Sequence, residues 1–410
     1  MASPLQPLLP LPAPLRGSDI PSFAHTSIVR RLPEIAGRIL RENELTPEAA
    51  RALGALAAEI PSGKIRPLET PLATDAADWT QYLLPYLGSN WLEVPWFFAE
   101  HYFYRRVLEA TGYYNPGPGR GMDPFDLQKA MGIQAARDSI CALSALLNQV
   151  GGKGWPEASL QGLLSIDLGG NLIDLSRWPV NPGSQPLGGL SHPRQEQILV
   201  DDRQAVSREL FATRAPSGRV DFLLDNAGFE LVCDLSLAWA LLGSGRASQV
   251  QLHAKGAPVF VSDAMEKDVL QAVSFLEEDK DPNNRALGGH LRDAIERDQL
   301  VIREDAFWIS PLPLWEMPAE LAQDLGQSRF TISKGDANYR RLVGDRHWPA
   351  TTPFNHVVRL GRPLLALRTL KSEVVLGLAP GRAEAAQAAD PDWMSDGQWG
   401  LIQLSRQAWE

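Results

Sequence analysis

Asp225 and Asn226 stand side by side at the end of the apolar run Phe222-Leu-Leu, and Gly228 follows shortly after. A carboxylate and an amide oxygen suit a hard divalent cation such as Mg²⁺ or Mn²⁺. In open α/β sheets, ligands collect at the carboxyl ends of strands. Glu230 falls in the first turn of the helix that begins beyond Gly228, with Asp234 four residues further on the same face. Taken alone, the segment reads more simply as helix capping, with Asn226 as N-cap and Glu230 as a favourable first-turn acid. Asp263, in Pro258-Val-Phe-Val-Ser-Asp-Ala, again follows an apolar run that reads as a strand and precedes a helix. Alone it is an ordinary N-cap. Beside Asp225 and Asn226 it would complete an oxygen-rich metal site at one sheet edge.

Two cationic segments add a second chemistry. In Lys334-Gly-Asp-Ala-Asn-Tyr a strand ends in a Lys-Gly turn and a helix starts at Asp336 or Ala337. Free amides at a helix start with a lysine beside them make a phosphate cradle. The Walker spacing is absent, and a capped helix with a solvated lysine is the plainer reading. Arg368-Thr-Leu-Lys371 follows the strand Leu364 to Leu367 and brings further cations to a strand end, or forms a solvated basic turn. The sequence holds no His-Glu-x-x-His, no Gly-x-Ser-x-Gly and no Rossmann glycine fingerprint after a strand. Gly243-Ser-Gly245 follows a helix and reads as a C-cap. His101 reads as a satisfied core residue, and Cys233 as packing.

Such residues need a sheet to carry them. Strands are expected at Leu163 to Asp167, Arg219 to Leu224, Gln249 to Ala254, Val259 to Val261, Arg329 to Ser333 and Leu364 to Arg368. Helical patterns alternate with them, which predicts a mostly parallel sheet covered on both faces, a three-layer α/β/α core. Before it, the spacing of Ile28, Leu32, Ile35 and Ile39 predicts a helix, and Thr46-Pro-Glu opens a second. An aromatic-rich helix is expected from about Val94 to Thr111, with Glu100 among its polar exceptions, and one more from about Pro124 to Leu147. Gly381 to Asp390 reads as an Ala-rich surface loop. The organisation predicted is a Pro-rich arm over 1–24, a helical N-terminal domain over 25–160 and an α/β metal-binding domain over 161–410. The arm lacks the basic start of a signal peptide and reads as disordered or surface-clinging. With 410 residues, 44% of them hydrophobic, the chain can bury a large core. A net charge of −10 disfavours general binding to nucleic acid or anionic membranes. No apolar run reaches membrane-spanning length. Two cysteines, Cys141 and Cys233, exclude a disulfide scaffold and fit a reducing cytoplasm.

Several segments, in one order along nearly the whole chain, carry a resemblance. They are Thr26-Ser-Ile-Val-Arg-Arg-Leu-Pro-Glu-Ile, Pro95-Trp-Phe-Phe-Ala-Glu-His-Tyr-Phe-Tyr-Arg-Arg, Gly170-Asn-Leu-Ile-Asp-Leu-Ser, Asp225-Asn-Ala-Gly-Phe-Glu, Lys334-Gly-Asp-Ala-Asn-Tyr-Arg and Arg368-Thr-Leu-Lys-Ser-Glu. With these the sequence resembles the metal-dependent damage-control phosphatases, in their acidic-residue (protein-glutamate) methyltransferase-like branch. The resemblance implies an α/β/α core and a divalent metal (Mn²⁺, Mg²⁺, Co²⁺ or Ni²⁺) held by Asp225, Asn226 and Asp263. It implies a phosphorylated metabolite held by Lys334, Gly335, Asp336, Ala337, Asn338, Arg368 and Lys371, with Glu230 in the same pocket. Glu100, Asn171 and Asp174 match family positions near the site. Gly169 departs from the family pattern, which carries Trp there, and that bears on the pocket wall.

The activity expected is hydrolysis of phosphate monoesters of sugar phosphates or related phosphometabolites, with Asp225, Asn226, Asp263 and Lys371 as catalytic residues. Activated water is the expected nucleophile, with attack by Asp225 as the other route. Two other readings stand beside it. One is S-adenosylmethionine-dependent carboxyl methyl transfer, for which no Gly-rich turn follows the first strand. The other is non-catalytic metabolite binding, against which an intact set of Asp, Asn, Asp and Lys argues.

Overall fold

The computed structural model describes residues 5–70, 73–170, 195–211 and 218–406. Among them, strands β1 (Ile198–Asp201), β2 (Arg219–Leu223), β3 (Gln249–Lys255), β4 (Leu300–Asp305), β5 (Phe330–Lys334), β6 (Leu364–Thr369) and β7 (Gly400–Ser405) form one sheet. Its order is β1-β7-β6-β5-β2-β3-β4. The five strands from β6 to β4 run parallel, while β7 pairs antiparallel with β6 and β1 follows β7. From β2 the chain moves outward to β3 and β4, then returns to the other side of β2 as β5. The strand order therefore reverses between β2 and β5, where open α/β sheets place their ligands.

Alternation along the strands sorts side chains to two faces. Val220, Phe222, Val250, Leu252, Phe330 and Ile332 join one buried cluster with helices Arg137–Gly151, Glu157–Gly170, Phe229–Gly243, Glu266–Glu278 and Pro282–Glu296. Leu223, Leu364 and Ala366 face a second cluster that includes Ile28, Leu32, Ile35, Trp96, Tyr102 and Tyr339. Helices thus cover both faces, and the first helices of the chain build much of one covering layer.

Four expectations are corrected. Leu163 to Asp167 is no strand but part of helix Glu157–Gly170. Its apolar residues recur as Leu160, Leu163, Leu164 and Leu168, a helical stripe buried with Ile140 and Leu143. Val259 to Val261 forms a turn rather than a strand. The helix expected from Pro124 is two, Asp126–Ala135 and Arg137–Gly151, parted where Ala136 leaves helical geometry at φ −89°, ψ 5°. Arg382–Ala389 is a helix, as its alanines favour, started by Gly381 at φ 81°. The Pro-rich arm clings to the body: Leu8 N–H donates to His356 O at 2.8 Å and Leu15 N–H to Asp345 O at 3.0 Å. Asn171 and Asp174 lie outside the described residues, as does the polar stretch up to Pro193. No helix among the described residues is long and apolar enough to cross a membrane.

Candidate metal and phosphate site

The ends of β2, β3, β5 and β6 converge on one half-open cleft. Asp225 and Asn226 enter it from beyond β2, Asp263 from the loop after β3, Asp336 and Ala337 from the helix after β5, and Lys371 from beyond β6. Phe23, Arg31, Trp96, Phe260 and Arg340 form the rest of the wall. The loops after β2 and β3 are zipped together. Ala264 N–H donates to Asp225 O and Ala227 N–H to Ser262 O, both at 2.7 Å, around an antiparallel bridge between Asn226 and Asp263. Two separate turns thereby present their side chains as a single unit.

The carboxylates there are crowded and dry. Asp225 is 4% and Asp263 1% exposed. Burial, then the charges of Asp263 and Glu230, push the Asp225 carboxyl well above its ordinary range. Burial also raises Asp263, although Lys255 opposes it. Lys255 Nζ lies 3.1 Å from Asp263 Oδ2, while Asp263 Oδ1 is buried with no hydrogen-bond donor among the described residues. Asn226 Nδ2 donates to Asp225 Oδ2 at 2.8 Å and to Glu230 Oε2 at 2.7 Å, and Ser262 Oγ donates to Asn226 Oδ1 at 2.5 Å. Gly335, at φ 76°, leaves room beside Asp225: a Cβ there would lie 1.8 Å from Asp225 Oδ2. An acceptor without a donor, two buried carboxylates and an amide oxygen form a donor set that fits a hard divalent cation.

The other expected residues divide. Lys371 is 9% exposed and lines the cleft. Asp336 lines it too, but its Oδ1 accepts from Arg368 Nε at 2.8 Å, Ser372 Oγ at 3.0 Å and Lys371 N–H at 3.1 Å. Burial would raise its pKa, yet Arg368 and Arg340 hold it below the usual carboxylate range. The expected contact of Lys334 with phosphate is not what the geometry gives. Its ammonium points away from the cleft to Asp167 Oδ1 at 2.5 Å, Asp234 Oδ1 at 2.8 Å and Glu230 Oε1 at 3.7 Å. Arg368 is fully buried, stacked over Tyr339 and bonded to Ser372. Asn338 donates to Leu224 O and Lys334 O, both at 2.9 Å, and so ties β2 to β5. Glu230 supports Asn226 from behind, and Glu100 meets Arg340 at 2.5 Å behind the wall. Gly335 stands against Asp225 through its backbone.

Phe23, Arg31, Trp96, Phe260 and Arg340 of the wall were missed, as was Lys255 beside Asp263. A signal for Lys255 existed: it ends β3 on the face of His253, opposite the apolar face of Leu252 and Ala254. Among the described residues, two groups of side chains lie close enough together to hold an ion, Asp221-His253-Asp324 and Asp123-Asp126-Asp268, and neither lines the cleft. Each already contains cations: Arg219 in the first, Lys129 and Lys267 in the second.

Residues 26–386 match the Damage-control phosphatase ARMT1-like domain. The chain is 33% identical over 426 residues to the damage-control phosphatase ARMT1 of Danio rerio, across 94% of this chain and 95% of that protein. It is 32% identical over 437 residues to the Mus musculus protein of the same name, across 96% and 98%. A solved DUF89 family protein from Pyrococcus horikoshii aligns over 92% of this chain and 96% of its own, at 15% identity and a TM-score of 0.49. On the domain match and the near full-length relatives, the chain belongs to the family of damage-control phosphatases with an ARMT1-like domain.

Proposed function

We propose that this protein is a metal-dependent phosphatase that hydrolyses phosphate monoesters of sugar phosphates or related small metabolites. The carrying observation is convergence. Two buried aspartates and an asparagine amide meet Lys371 and the amino end of helix Gly335–Val343 in one cleft at the reversal of strand order. Asp225, Asn226 and Asp263 hold the cation, which is Mn²⁺, Mg²⁺, Co²⁺ or Ni²⁺. A cation bound there supplies an acidified water and polarises a phosphoryl oxygen.

The chain's own residues do the rest. Lys371 and the amides at the helix start offset charge on the phosphoryl oxygens. Asp336, held ionised by Arg368, fixes the loop that presents Lys371 by accepting its N–H. Lys334, Asn338, Arg368 and Glu230 act one layer behind, holding strand ends and the Asn226 amide in place. Phe23, Arg31 and Phe260 line the cleft beside these groups and face the organic part of the substrate. A cytoplasmic setting fits two cysteines that are both free thiols.

The test is phosphate release by metal-stripped protein from a panel of sugar phosphates, with each divalent metal restored in turn and Asp225→Ala as control. The expected outcome is metal-dependent turnover in the wild type and almost none in the variant, with loss of bound metal. Equal turnover and metal content in Asp225→Ala would remove these ligands from the mechanism. No release with any metal would overturn this reading in favour of methyl transfer, read as label transferred from S-adenosylmethionine.

A further inference from the structure

Bulky residues avoid the left-handed region, and a β-branched residue there is a true outlier. Two sit in succession just before the third cation ligand: Phe260 at φ 49° and Val261 at φ 70°. Ser262 N–H donates to Phe260 O at 2.8 Å. A hydrogen bond over two residues, closed around a positive-φ centre, is a classical-type γ-turn, a rare and strained geometry. Val261 is fully buried, so the turn is no surface irregularity.

Something must hold it, because strain persists only where the surroundings over-determine it. One side of the Phe260 ring packs on helix Trp96–Thr111. It stacks at 6.3 Å on Phe97, meets His101 edge-on at 4.9 Å and lies 5.2 Å from Tyr104. All three partners are buried. His101 is itself pinned, with Nδ1 on Phe97 O at 2.7 Å and Nε2 facing Arg341 at 3.1 Å. The turn's product lies directly downstream: Ser262 Oγ on Asn226 Oδ1, and Asp263 bridged to Asn226. A relaxed turn would swing both away from β2.

We infer that the Phe260–Val261 γ-turn is a strained positioning device for the cation site, clamped by the aromatic face of helix Trp96–Thr111, so that the helical N-terminal layer sets the aim of Asp263. The inference rests on the reading of Asp263 as a cation ligand. Toward the cation, Phe260 and Val261 are positioning residues that act through Asp263 and Asn226, separately from the wall that Phe260 gives the cleft.

The experiment is Mn²⁺ titration calorimetry on the full chain, with Asp263→Ala, Phe260→Ala, Phe260→Leu and the double variant Phe260→Ala/Val261→Gly. Binding by the wild type that Asp263→Ala abolishes establishes the ligand. Phe260→Ala should then weaken Mn²⁺ about tenfold, because the left-handed backbone that a non-glycine residue disfavours is no longer clamped. Phe260→Leu should lie between. The discriminating result is rescue: glycine adopts the turn without strain, so the double variant should regain affinity to within about threefold of wild type. Additive loss in the double variant, or unchanged affinity in a folded Phe260→Ala, overturns the inference while leaving the ligand assignment standing. No binding by the wild type, or full binding by Asp263→Ala, overturns both. Thermal melts of the metal-free proteins separate unfolded variants from mis-aimed ones, and Phe260→Leu carries the test should Phe260→Ala fail to fold.

Discussion

Two lysines that look alike in the sequence have opposite jobs. Lys334 ends β5, whose residues Phe330 and Ile332 point into the cluster beneath the sheet. Alternation sends Lys334 the same way, to Asp167, Asp234 and Glu230, and it is fully buried. The charges of those carboxylates outweigh burial and hold its ammonium well above the ordinary range. Lys371, beyond the end of β6, faces the cleft instead. Lys334→Met should therefore act on stability: removing one partner from a buried ionic cluster costs about 3–5 kcal/mol. Lys371→Met should leave the melting temperature nearly unchanged and lower kcat/KM by about 10²–10³-fold, the loss usual for one transition-state donor. Denaturant melts and steady-state kinetics on both variants check the pair, and a stable, inactive Lys334→Met would return that lysine to the phosphate. The site was partly legible because Asp225-Asn226 and Lys371 follow clean apolar runs. The Lys334 ion pairs were not, because Asp167 lies 167 positions away in sequence.

At the scale of elements, one joint fastens the early helices to those under the sheet. Lys129, on helix Asp126–Ala135, bonds Asp123 at 2.9 Å and Asp268, in the first turn of helix Glu266–Glu278, at 2.8 Å. Burial opposes ionisation of Asp123, but Lys129 and Lys267 overcome it and lower its pKa from 3.8. The sign follows. A carboxyl whose folded pKa is depressed adds stability above its unfolded pKa, and that stability is lost as pH falls through the folded value. Asp123→Asn should cost about 2 kcal/mol near neutrality, and its gap to wild type should close as pH drops below 3.8. A gap that stays constant through that range would deny the pairing. Sequence periodicity ran helices Asp126–Ala135 and Arg137–Gly151 together as one, and misread Leu163 to Asp167, because a short apolar run fits strand and helix alike. Its partners Ile140 and Leu143, on a helix twenty residues upstream, decide the matter. It also took Val259 to Val261 for a strand. β propensity there is high, but the chain must reverse to bring Asp263 back beside Asn226.

For the molecule as a whole, the cleft lies where its two buried clusters meet. The loop after β2 is continuous with the sheet, Phe260 is held by helix Trp96–Thr111, and Arg340 links the helix after β5 to Glu100 of that same early helix. A cation in this position binds only the folded chain, since its ligands come from two separate strand ends. It must then stabilise by mass action, by about 2.7 kcal/mol at a hundredfold excess over Kd. Because both layers contact the site, the gain should be shared rather than local. Melts followed by tryptophan fluorescence, which sums tryptophans across the chain, Trp91 and Trp96 in its early part and Trp308 and Trp399 in its later part, and by far-ultraviolet circular dichroism should shift upward together on adding Mn²⁺. They should return together on chelation. Asp225→Ala and Asp263→Ala should show no shift with either probe. If either transition split, with one part rising on Mn²⁺ and the other staying in place, one part of the fold would be energetically separate from the cation site, and the clamp on Phe260 would have no route by which to act.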